Sequence, residues 1–123
     1  MSEVRCPICR FPIVEHEEGD QLDMCVARAL GWTHHGRGIW KDPQGAVKEL
    51  PCFSEDVADA HFLMEDIWEI DETAAIFNDR VSVIWKYEDW YTQSFKGATF
   101  CVRVCQAFLW LKAKEREEKN HDV

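Results

Sequence analysis

Val81-Ser82-Val83-Ile84-Trp85-Lys86-Tyr87 decides the fold. Val81, Val83, Trp85 and Tyr87 alternate with Ser82, Ile84 and Lys86, the period-two pattern of a strand with one buried face. Glu88-Asp89 marks a turn. Residues 90–95, rich in Trp, Tyr, Thr and Phe, then form the returning strand. Gly97 breaks it, and Thr99 can cap a last helix with Cys101, Val104, Cys105, Phe108 and Leu111 on its buried face. Beyond Lys112 the chain becomes charged and reads as a fraying tail.

The same pattern extends towards the N-terminus. Residues 71–80 are a connection. Before it, Val57, Ala60, His61, Met64, Ile67 and Trp68 keep helical spacing to Ile70, with Asp59, Glu65, Asp66 and Glu69 on the wet face. Ser54 is the expected N-cap of that helix, and His61 a core histidine. Ile39-Trp40-Lys41, Asp42-Pro43-Gln44-Gly45 and residues 46–50 read as strand, turn and strand. Asp20 caps a first helix carrying Leu22, Cys25, Val26 and Ala29 on one stripe, and Gly31 stops it as a left-handed C-cap with Trp32 packing back. The order is helix, hairpin, helix, hairpin, helix. Antiparallel strands covered by helices make an α+β domain, a layered helix/sheet sandwich.

Three segments follow: a Cys-x-x-Cys knuckle and linker over residues 1–18, the main domain over 19–113, and a charged tail over 114–123. The 123 residues can bury a core without disulfide staples. The net charge of −9 repels phosphate backbones and argues against general nucleic-acid binding. No apolar run is long enough to span a membrane, and no secretory signal is visible. The six cysteines therefore read as reduced thiols in a cytoplasm.

Residues 19–113 resemble the phage ABA sandwich domain, a family of small bacteriophage and prophage proteins. The likeness rests on Leu22-Asp23, Val26-Ala27 and Ala29-Leu30-Gly31-Trp32, then on Trp40, Pro51, Phe53-Ser54-Glu55-Asp56, Ala58 and Ala60. It continues through the strand at 81–86 with its Trp85, and through Ala98-Thr99, Cys105 and Ala107. The resemblance implies a layered sandwich, a viral origin, residence in the host cytoplasm and no established enzyme activity. By analogy it implies a binding role towards a host or phage protein, or sequestration of a nucleotide-like molecule. Cys6-Pro7-Ile8-Cys9-Arg10 departs from the family pattern.

Cys6-Pro7-Ile8-Cys9 is half of a metal site, since two cysteines at this spacing can aim both sulfurs at one ion. His16 is the nearest further ligand, making Cys6, Cys9 and His16 the expected metal residues, with zinc as a structural cofactor. Cys52, His34 and His35 lie in loops that could fold back. A second chain could also supply the missing pair at a homodimer axis. Cys25, Cys101 and Cys105 fall on buried helix faces, where cysteine packs as a small hydrophobe; Cys101 and Cys105 remain reserve ligands.

A second candidate site is the loop and hairpin carrying His34, His35, Arg37, Trp40 and Lys41. An exposed Trp beside a cation could seat a purine and its phosphate; burial of Trp40 and Trp90 in a core or interface is the competing reading. Trp32, Trp68, Trp85 and Trp110 are expected in the core. No phosphate-binding glycine loop, dinucleotide fingerprint or nucleophile elbow is present, so an enzyme is the least supported class.

Overall fold

The alternation at Val81 becomes strand β5 (Val81–Trp85) of a computed structural model that describes residues 4–85 and 91–121. It pairs antiparallel with β6 (Tyr91–Phe95), Val81 opposite Phe95. The expected turn at Glu88-Asp89, the readings of Lys86, Tyr87 and Trp90, and the packing of the Trp85 side chain lie outside the described residues. Val81, Val83 and Phe95 are fully buried, as the period-two reading requires.

Both expected hairpins prove to be three-stranded antiparallel sheets, so the chain is α+β with three helices and two small sheets. In the first sheet β1 (Thr33–His34) precedes β2 (Trp40–Lys41) and β3 (Val47–Lys48); in the second, β4 (Ala75–Ile76) joins the outer side of β5. The extra strands were hidden because two residues give no period. Asp71 organises the second: its buried carboxylate accepts from Thr73 N–H at 3.0 Å and from Ile84 N–H at 2.7 Å, tying the connection to β5.

Helix α1 (Asp20–Ala29) ends as expected. Gly31 takes φ 98°, and Trp32 N–H returns to the Ala27 carbonyl at 3.0 Å. Helix α2 (Val57–Ile70) is capped by Asp56, whose carboxylate accepts from Ala58 and Asp59 N–H. This corrects the expectation for Ser54, which is buried and bonded to α1: its N–H donates to Asp23 at 2.7 Å, and its hydroxyl accepts from Gly19 N–H at 3.0 Å. The buried stripe of α2 is Ala60, Leu63, Met64 and Ile67. His61 and Trp68 face outward instead of into the core: His61 is exposed against Phe100, and Trp68 keeps 40 % of its surface while its indole donates to Ala74 O.

Helix α3 (Phe100–His121) is capped by Thr99, whose hydroxyl accepts from Val102 N–H at 3.2 Å. It runs through most of the segment that its charges mark as a tail. It packs against α1, α2, β5 and β6, with Val104, Phe108, Leu109 and Leu111 fully buried. Cys6 and Ile13 join the same core, so the N-terminal knuckle is built into the domain. Among the described residues, no helix is long and apolar enough to cross a membrane.

Candidate metal centre

Cys6-Pro7-Ile8-Cys9-Arg10 turns back on itself. Arg10 N–H donates to the Cys6 carbonyl at 3.0 Å and Cys6 N–H to the Phe11 carbonyl at 2.8 Å. Arg10 adopts φ 69°, the left-handed bend that reverses the chain, and Arg5 pairs with Pro12 across it. The backbone of Cys9 and Ile8 helps to lower the Cys6 thiol. A 3-10 turn at Ile13–Glu15, its Ile13 fully buried, then carries the chain to His16.

Cys6, Cys9, His16 and Cys25 converge, with their ligand atoms all within 4.8 Å of one another. Cys9 Sγ lies 3.5 Å from His16 Nε2. A tetrahedral zinc, at about 2.3 Å from sulfur and about 2.0 Å from nitrogen, separates its ligand atoms by about 3.5–3.8 Å. The pocket thus needs only a small contraction to close on such an ion. Three thiolates and one imidazole are a donor set suited to zinc. Among the described residues, no carboxylate belongs to the cluster.

Two of the three expected ligands sit on the knuckle and one follows it. The fourth, Cys25, is a correction: it sits on the inner stripe of α1 as expected, but that stripe faces the knuckle. Gln21, one turn earlier, donates to Cys25 Sγ at 3.3 Å. All four ligands come from one chain, so the set is complete without a second chain's pair. Cys101 and Cys105 are buried in α3, where burial pushes both thiols up and keeps them protonated. Cys52, His34 and His35 are not part of the cluster.

The electrostatics prepare the site for a cation. The neighbouring Cys25 side chain is the main cause that pulls the Cys6 thiol well below the ordinary range, against burial and with help from His16 and the backbone of Cys9 and Ile8. Cys25 is raised correspondingly, first by Cys6 beside it and then by burial. A metal ion held by these sulfurs would take the place of their thiol protons.

Helix α3 holds the site from behind. Buried Gln106 donates to the His16 carbonyl at 3.0 Å and to the Val14 carbonyl at 3.4 Å. Arg116 donates to the Pro7 carbonyl at 2.8 Å. Gly97 makes room for Gln106: a Cβ there would meet Val102 Cγ1 at 2.8 Å and Gln106 Oε1 at 3.0 Å. On the solvent side, a cavity of about 550 Å³ is lined by Cys9, Phe11, Glu15, His16, Glu17 and Gln21.

The other candidate site has a different character. Trp40 is 3 % exposed, with His34 stacked on it at 4.6 Å and the Arg28 guanidinium 5.7 Å from its ring centroid. His35 Nε2 lies 2.9 Å from Thr33 Oγ1. Arg37, at φ 51°, sits in the exposed loop, and Lys41 pairs with Thr33 across β1 and β2. The sequence reading put His34, His35 and Arg37 in a loop before a strand with Trp40 and Lys41; the structure instead makes Thr33–His34 a strand of its own, and Trp40 uses its ring as the sheet's anchor.

No family model, curated protein or solved structure matches this chain. What the site can do follows from its own atoms.

Proposed function

We propose that this chain is a zinc-stapled, non-enzymatic binding module in which Cys6, Cys9, His16 and Cys25 hold a structural ion. The convergence of those four ligand atoms within 4.8 Å carries the reading. Four protein ligands fill a tetrahedral zinc and leave no position for a substrate or an activated water, which separates a structural site from a catalytic one. The ion would join the knuckle to α1, and α3 already holds both. The layered helix/sheet arrangement and the kinship with small phage proteins belong to this proposal. So does a protein partner, host or phage, in preference to a nucleotide, because the purine platform would require a free face of Trp40.

Metal analysis of protein purified in reducing, chelator-free buffer is the test. One zinc per chain is expected, retained in Cys101→Ser and lost in Cys25→Ser. Half a zinc per chain, or full zinc in Cys25→Ser, would sink this ligand set.

A further inference from the structure

The four ligands are unequally accessible. Cys6 and Cys25 are fully buried, and His16 is 5 % exposed. Cys9 is only partly buried, and it is the one ligand sulfur lining the cavity of about 550 Å³. The Cys25 sulfur lies within 4.8 Å of those of both Cys6 and Cys9. Glu15 and Glu17 border the same cavity, on a chain whose net charge is −9. An approaching anion is repelled there, while a small neutral molecule is not.

We infer that Cys9 is a modification site for small neutral hydroperoxides, and that its oxidation opens the metal centre through a Cys9–Cys25 disulfide. The inference rests on the metal reading above. A metal ligand is a thiolate, the reactive form of cysteine. In the first step the Cys9 sulfur attacks the terminal peroxide oxygen, the O–O bond breaks and hydroxide (or the alkoxide of an organic hydroperoxide) leaves, giving a sulfenic acid. In the second the Cys25 thiolate attacks the Cys9 sulfur and displaces hydroxide, forming the S–S bond. Two thiolates lose two electrons between them, one peroxide is reduced, and the two basic leaving groups are protonated by the buffer. The ion, left with Cys6 and His16, is released.

Cys52 is a built-in contrast. It is exposed, yet its thiol is raised by desolvation and by Asp23, Glu55, Asp59 and Asp56, so it stays protonated. Exposure alone therefore does not select the reactive sulfur.

The experiment uses zinc-loaded full-length protein carrying Cys52→Ser, with zinc content measured first. Hydrogen peroxide or glutathione disulfide is added at equal concentration, zinc release is followed with a chromogenic chelator, and disulfides are mapped by mass spectrometry. Peroxide is expected to release zinc with loss of two thiols per ion and to yield the Cys9–Cys25 peptide pair; glutathione disulfide is expected to act several-fold more slowly. Cys9→His, which keeps four ligands, should hold zinc and resist peroxide several-fold better, whereas Cys6→His should not. Zinc-loaded protein that loses its metal through a Cys6–Cys25 disulfide, or as fast in Cys9→His, overturns this inference and leaves the metal reading standing. Protein with no zinc at the outset overturns both.

Discussion

The cysteine cluster and the hairpin around Trp40 both stand out in the sequence, yet they are built in opposite ways. The cluster gathers side chains from a knuckle, a 3-10 turn and a helix, and aims their donors at one point. The hairpin gathers neighbours in sequence and spreads them: His34 covers Trp40, while His35 and Arg37 sit in an exposed loop. Convergence of donors from separate segments marks a site. Density of suggestive residues along one segment does not.

The contrast can be broken at either end. Chelation of the zinc-loaded protein, or Cys25→Ser, is expected to cost more than about 4 kcal/mol. His35→Ala should stay within about 0.5 kcal/mol at unchanged zinc content. Denaturant titration with parallel metal analysis measures both, and similar losses would erase the distinction. Trp40→Ala comes next, at about 3 kcal/mol, because a buried ring is removed; zinc content should not change, and its loss would mean the two regions are coupled.

Gln106→Leu strips a donor from the His16 carbonyl. It is expected to destabilise by about 1–3 kcal/mol and to weaken zinc binding about ten-fold in a competition titration. Equal zinc affinity in variant and parent would confine Gln106 to packing.

The smallest effect is that of Asp42. Its carboxylate is held below the ordinary range first by Lys48, at 3.1 Å, and then by the N–H groups of Ala46 and Gln44. The folded hairpin therefore favours the ionised form. Its contribution is present above the pKa of an unfolded aspartate and is lost as pH falls through the lower, folded value. Stability curves of the parent and Asp42→Asn should separate above that window and merge below it. Curves that stay parallel throughout would remove Asp42 from the account.

Much of the fold was legible because caps and periods are local. Gly31, Thr99 and the alternation at Val81 behave as their chemistry dictates. Helix α2 misled because Val57, His61 and Trp68 trace one stripe and Ala60, Leu63, Met64 and Ile67 another. Only packing against α3 selects the second. Ser54 and Asp56 are both capping residues, and the choice between them rests on Asp23, a residue 31 positions away that takes the Ser54 N–H. Cys25 was missed because an inward stripe was equated with inert packing. A knuckle short of a ligand was the signal against that reading, since the inner face of a helix is also where a buried ion would be met. The length of α3 was masked by the charged composition beyond Lys112, although Arg116 from that segment reaches the knuckle.

The position of the four ligands along the chain sets an order of assembly. All lie within the first twenty-five residues, so closing them around an ion spans short loops and carries a small entropic cost. The bonds from Gln106 and Arg116 that brace them span 90 and 109 positions. A chain emerging from the ribosome can complete the metal loop long before α3 has been synthesised, and the last helix then docks onto a loop already formed.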